Sequence, residues 1–393
     1  MRLKLIICSL VFAALACTAN VSVLQPASTD SATISPSPTA EVTSIPPVSA
    51  PPLEGLPNVI PANISSIHML DPQNGWMLTN TFVLRTMDGG RSWHDVTPRG
   101  VSTFGYGTGT SFLDSNRGWV LIADPNDPVN AGTIYRTTDG GIDWDSNPVP
   151  FGGGEIHFLD DDKGWMMLPA DVGAGNMAVK FFQTSDGGKN WTQVFSNLPT
   201  DANSNTTLPH GGIKSGFTPL NMQEAWVSGQ SYASNDFYLY HTSDGGHTWS
   251  KTKDPIPNTG EAMYLIQPPV FFDGQTGLLP MTIGSEGSST LFLKTQDDGA
   301  TWTMGVSPVP GSGRYSVASR NDVFVWFGSD LSVSHDGGQS WITITPNVTL
   351  SDLLAQFQFV DAQNGWAVTS DANGHTSLYK TTDGGQTWVA QVQ

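Results

Sequence analysis

The chain has 393 residues, with 17 Lys plus Arg against 35 Asp plus Glu, a formal net charge of −18 and two cysteines. A surface this acidic repels nucleic acid and anionic lipid headgroups, which excludes both as partners. Cys8 and Cys17 both lie near the start, so no disulfide staples the body and its stability must come from packing.

Residues 1–16 place Arg2 and Lys4 ahead of an apolar run from Leu5 that ends in the small residues Ala14 and Ala16. That run is far shorter than the ~20 residues needed to cross a bilayer, and it reads as a secretory signal peptide. Cys17 follows at once and resembles the lipobox cysteine of bacterial lipoproteins, with Ala14 where that motif prefers Leu. The resemblance implies an acylated Cys17 and a lipid-anchored protein on the extracytoplasmic side of a bacterial envelope. Loss of residues 1–16 removes two basic residues and no acid, which leaves a balance of −20. Residues 17–60 are rich in Ser, Thr and Pro and have no strand or helix period, so they read as a tether. If polyproline-like, at ~3.1 Å per residue, the tether spans up to ~130 Å.

From residue 61 to 393 the chain repeats itself. Seven turns of the form Thr/Ser-x-Asp-Gly-Gly-x-x-Trp carry Asp88, Asp139, Asp186, Asp244, Asp297, Asp336 and Asp383, each followed five residues later by Trp93, Trp144, Trp191, Trp249, Trp302, Trp341 and Trp388. A second mark precedes each turn, as in FLDSNRGW (112–119) and FVDAQNGW (359–366), with weaker versions at PLNMQEAW (219–226) and around Asn321-Asp322. Short alternating runs between the marks, such as SIHML and FVLRT, read as strands, so each unit is a four-stranded meander.

The residue types follow from the turn. A tight reversal calls for positive φ, which glycine adopts without a Cβ clash, while the Asp carboxylate accepts backbone N–H bonds and the preceding hydroxyl closes the same knot. The tryptophan lands on the apolar layer between units and buries ~200 Å². Seven units that bury only one face each close most economically into a ring, so the expected fold is all-β: a seven-bladed β-propeller of four-stranded antiparallel blades. A linear array is the alternative, at the cost of two bare end sheets. The ring closes either without a strand exchanged between the termini or with Leu53 to Ile60 as an extra edge.

The turns match the Asp-box, or BNR repeat, with Asp298 replacing the first glycine in the fifth copy. Together with the Phe-x-Asp-x-x-x-Gly-Trp element, they resemble the photosystem II assembly and stability factor propellers. That resemblance implies a scaffold that binds a protein client, with the Asp-boxes structural. The arginine-rich patch of that family has no counterpart among Arg85, Arg91, Arg99, Arg117, Arg136, Arg314 and Arg320, which are scattered; Arg85 and Arg136 occupy the slot before the turn that Gln183, His241, Lys294 and Lys380 fill elsewhere. Sialidases share the repeat but carry a Phe-Arg-Ile-Pro element that is missing here, and xyloglucan hydrolases resemble two tandem propellers.

Recognition is expected on the rim opposite the turns, where the loops depart from the repeat. The candidates there are Tyr106, Asp124, Asp127, Glu155, His210, Tyr232, Asp236, Glu261 and Tyr264. Asp160-Asp161-Asp162 sits in a short turn rather than in a calcium loop, and no metal spacing, Gly-x-Ser-x-Gly or phosphate-binding loop occurs, so no cofactor or metal is expected. Two functions fit: a non-catalytic, membrane-tethered scaffold for a protein client, or a glycan-active hydrolase using loop carboxylates ~5 to 9.5 Å apart.

Overall fold

Every strand in the sheets pairs antiparallel with its neighbours, and no helix occurs among the described residues, in the computed structural model of the protein. The structure describes residues 51–392 apart from 106, 202, 234–235, 257–262, 285–288, 305–307, 312 and 351–352. The signal peptide, Cys17 and most of the tether lie outside the described residues, as do Tyr106 and Glu261.

Five sheets are four-stranded meanders, at 64–95, 109–149, 155–196, 314–344 and 354–392. A ten-stranded sheet holds two more, at 213–251 and 264–310, joined through the pair Gln230–Leu265. These are the seven blades of the propeller, numbered here in chain order. In blade 5 the innermost strand is split into Tyr264–Ile266 and Val270–Phe271 around Pro268 and Pro269, whose missing N–H groups interrupt the ladder.

Each aspartate turn links the third and fourth strands of its blade. In blade 1 the Thr86 hydroxyl donates to Asp88 (2.9 Å) and accepts from the Gly90 N–H (2.9 Å), while Asp88 also accepts from Ser92 N–H (3.0 Å) and the Ser92 hydroxyl. The hydroxyl–aspartate bond recurs in the other six turns. Gly89 and Gly90 take φ of 74° and 89°; in the fifth copy Asp298 adopts 58°, which a short polar side chain tolerates.

Blades are joined by a repeated aromatic contact. The second-strand Trp76 stacks on Phe112 of blade 2 (4.6 Å, 8°), and its indole N–H donates to the Asp114 carbonyl (2.9 Å). Trp119 stacks on Phe158 (3.9 Å, 6°) and donates to Gly187, Trp165 donates to Asn221, and Trp366 donates to Gly89 across the closing junction. Blade 6 has Phe324 in this register, stacked on Phe359 at 3.6 Å. The slot before each turn completes the joint: the Arg85 guanidinium lies 5.7 Å from Trp76 and donates to the Gly140 carbonyl, Lys380 lies 4.8 Å from Trp366 and donates to Gly89, and Gln183, Lys294 and His241 reach the same layer. Burial lowers the Arg85 pKa to about 10, with Asp114 and Asp139 opposing that fall.

The ring closes without exchanging a strand. Gln356 accepts from the Ile67 N–H (3.0 Å) and donates to the Ile67 carbonyl (2.9 Å); Gln358 does the same with Met69 (2.8 and 2.8 Å). Two amides of blade 7 thus stand in for a strand at the bare inner edge of blade 1. Residues 57–59 instead cover that blade's outer edge, through Val59 N–H to Trp93 and Asp95 N–H to Pro57.

Replacing Gln356 and Gln358 together by Ala is expected to lower stability by about 2–4 kcal/mol, read from urea melts, since four hydrogen bonds at the closing seam are lost. Acid is expected to act on the turns. Burial alone would raise Asp88, Asp186, Asp244 and Asp383, but their hydrogen bonds outweigh it, while the hydroxyls of Thr301 and Ser340 lead in holding Asp297 and Asp336 down; all six sit below the ordinary carboxylate range. A folded pKa below the unfolded value gives stability that is present above that value and lost as pH falls through the folded one. Thermal melts should therefore be flat from pH 7 to about 5 and fall steeply below about 4.

Candidate functional site

On the rim away from the aspartate turns, blades 2 and 3 stand out. Their second and third strands run on as hairpins, Gly118–Asp124 with Asp127–Thr137, and Gly164–Gly173 with Asn176–Thr184. The segments 123–132 and 169–177, which read as loops because of their Gly, Pro and Asp content, are thus largely strand. Pairing with the neighbouring strand overrides their weak β-propensity.

Between the tip of the blade 2 hairpin and the base of the blade 3 hairpin lies a cavity of about 700 Å³, lined by Pro128 and Val129 of blade 2, Leu168 and Pro169 of blade 3, and the glycine backbone at 107, 109, 153 and 154. The glycines are required by close approach: a Cβ on Gly109 would fall 2.4 Å from the Gly154 carbonyl, and one on Gly152 would fall 2.0 Å from that of Pro128. Val129 and Val172 are 67% and 60% exposed at the tips.

Glu155 begins the innermost strand of blade 3 and lines this cavity together with His157, whose Nε2 is 2.8 Å from the Glu155 carboxylate. The imidazole sits edge-on to Phe217 of blade 4 (4.7 Å, 83°). The absence of a side chain at Gly216 leaves room for the carboxylate, since a Cβ there would meet it at 3.2 Å. His157 carries no sequence signal beyond its strand.

The remaining candidates fall in different places. Asp124 lines an adjoining cavity of about 480 Å³ and accepts from the Asn126 N–H; Asp127 accepts from the Asn130 N–H. Tyr232 and Asp236 line a third, of about 340 Å³, on blade 4, where Tyr232 packs on Gly175 and Asp236 pairs with Lys251. Burial would raise Asp236, but Lys251 and Ser231 hold it below its ordinary range. His210 contributes its carbonyl, which accepts from Met177 N–H. Tyr264 is a correction: it is buried in the layer between blades 4 and 5, edge-on to Phe237, because an aromatic at the start of an inner strand packs into that layer. Glu155, Asp124 and Asp127 cluster around blades 2 and 3, while His210, Tyr232 and Asp236 gather on blade 4.

Lys214 gave no sign in the sequence. Its side chain is buried, and its ammonium donates to the carbonyls of Met177 (2.6 Å), Pro209 (2.7 Å), His210, Gly212 and Gly211, with the Tyr238 ring 5.4 Å away. Burial pushes it down to about 7. It ties the blade 3 hairpin to the entry of blade 4.

No family model matches the chain. It is 23% identical over 311 residues to the photosystem II assembly lipoprotein Ycf48 of Synechococcus sp. (strain CC9902), covering 77% of this chain and 81% of that protein. It is 24% identical over 260 residues to a xyloglucanase of a Paenibacillus species, covering 58% of this chain but only 24% of the enzyme. A solved structure of YCF48 bound to a D1 peptide superposes with a TM-score of 0.53 at 19% identity, over 86% of this chain and 99% of that one. These likenesses agree with the propeller fold.

Lys214→Met is expected to remove the donor that the five carbonyls share and to cost about 2–3 kcal/mol. Hydrogen exchange should quicken at the Met177 and Gly212 amides and stay unchanged in the aspartate turns.

Proposed function

We propose that the protein is a non-catalytic scaffold that binds a protein client on the rim opposite its Asp-boxes. It is held on the extracytoplasmic face of a bacterial membrane by a lipid on Cys17, with the Ser/Thr/Pro-rich segment as spacer. The observation that carries this reading is the groove between the hairpins of blades 2 and 3: an open apolar surface between two projecting arms, on a ring whose other rim is engaged in joining the blades. Similarity to an assembly lipoprotein and to a propeller seen with a peptide supports it.

A second reading, a glycan-active enzyme, is favoured by one feature, the Glu155–His157 pair 2.8 Å apart in that groove, a carboxylate and an imidazole suited to proton transfer. Similarity to part of a xyloglucanase supports it. The two readings separate on a glycan panel: turnover that Glu155→Gln abolishes would establish the enzyme and end the scaffold reading.

A photo-crosslinking residue at Val129, in the lipidated chain within the cells that produce it, is expected to capture a discrete protein. The same residue at Ile142, in an aspartate turn, should capture none. Adducts at neither position would overturn the scaffold. Cys17→Ser should move the chain from the membrane fraction to the soluble one; a membrane-bound Cys17→Ser chain would end the lipid tether.

A further inference from the structure

Resting on the scaffold reading, we infer that the client presents an extended, basic segment, which adds as a strand to the free edge of the blade 3 hairpin. The second strand of blade 3 pairs with the innermost strand only through Gly164–Met167, opposite Phe158–Glu155. Beyond Met167 it continues to Gly173 along the third strand, with a bulge between Pro169 and Asp171, and among the described residues nothing pairs with its other edge. Leu168–Gly173 is therefore an open strand edge of about 20 Å at ~3.3 Å per residue, and Leu168 and Pro169 at its start line the groove. Such an edge is a template for strand addition, in which main-chain bonds give affinity and alternate side chains give specificity. Pro169 has no N–H to offer, so an added strand bonds to the carbonyls and the remaining N–H groups of 168–173.

The groove also specifies charge. The segments around it, 100–110, 122–131, 150–157 and 168–176, contain Asp124, Asp127, Glu155 and Asp171 and no Lys or Arg. Asp127 and Asp171 are exposed, and no Lys or Arg pairs with any of the four among the described residues. The turn bonds of Asp124 and Asp127 leave carboxylate lone pairs open. A strand laid along 168–173 turns alternate side chains to opposite faces. Small apolar side chains on one face meet Pro128, Val129 and Leu168, and lysines or arginines on the other meet the acids. An acidic or neutral segment lacks the second match.

The test uses the full chain and three fluorescent octapeptides followed by anisotropy: alternating Lys-Val, alternating Glu-Val, and Lys-Val with alternate amides N-methylated. The Lys-Val peptide is expected to bind, more weakly as salt rises, with the other two at least tenfold weaker. Asp127→Lys/Asp171→Lys should weaken the Lys-Val peptide at least tenfold with an unchanged melting temperature, because both sites are exposed. Asp143→Lys/Asp162→Lys, the same charge change in the turns of the opposite rim, should leave its affinity within twofold. No binding of the Lys-Val peptide, equal binding of the Glu-Val or methylated peptide, or equal loss in the two double variants would overturn the inference. If Val129 still captures a client in that case, strand addition falls and the scaffold stands; if Val129 captures nothing, the scaffold falls as well.

Discussion

The structure depends on one joint, made where the second-strand tryptophan of a blade meets the next blade. A four-stranded sheet alone leaves both faces and its inner edge uncovered, so a blade is stable only against a neighbour. The indole solves three problems at once. In blades 1 and 2 its ring stacks on the phenylalanine of the following blade, its N–H donates to a carbonyl there, and the arginine of the slot before the aspartate turn lies over it. The joint tolerates variation when shape is kept: Phe324 gives up the N–H of the tryptophan but stacks on Phe359 more closely than any tryptophan does on its partner. The aspartate turn belongs to the same device, because its glycine carbonyl is the acceptor for the preceding blade's slot residue, as Gly140 is for Arg85.

That commitment divides the molecule. The rim with the turns is held by bonds within and between blades, and a change there disturbs closure. The opposite rim is held by few such bonds and is free to depart from the repeat, which blades 2 and 3 do by extending their hairpins. The price is an uncovered strand edge. The blade 3 hairpin is steadied from its outer side, where Gly212 N–H bonds to Gly175 and the Lys214 ammonium gathers the carbonyls of 209–212, so that its inner side alone stays open.

Much of the architecture was legible because its signals are residue types at fixed spacing. A Gly-Gly step after Asp has few explanations other than a turn with positive φ, and seven copies count the blades. The site was less legible for physical reasons. Gly, Pro and Asp at 123–132 and 169–177 read as loop, and only pairing across a hairpin makes them strand. Tyr264 looked like a rim residue from its place after a loop, whereas packing between blades 4 and 5 buries it. Nothing in the sequence marks Lys214, because its cage is built from backbone carbonyls, which leave no trace there. Gln356 and Gln358 showed only as the polar face of QFQF (356–359), and their bonds to Ile67 and Met69 join positions 289 residues apart.

The charge distribution follows from the same division. Cations are scarce in this chain, and the turn rim takes many of them: Arg85 and Lys380 lie over tryptophans, Arg117 pairs with Asp114 and Asp161, Lys163 with Asp160, and Arg320 with Asp273. Lys180 and Lys251 are engaged by Asp201 and Asp236, and Lys214 by its carbonyls. The groove of blades 2 and 3 is left with acids, an imidazole and apolar side chains. Its negative potential is therefore a consequence of where closure needs its cations as much as of the acids themselves, and a mouth with low-dielectric walls focuses that field on whatever approaches. Arginines added at the groove would offset its four acids one by one without touching the ring, so the polarity of this rim is adjustable independently of the fold.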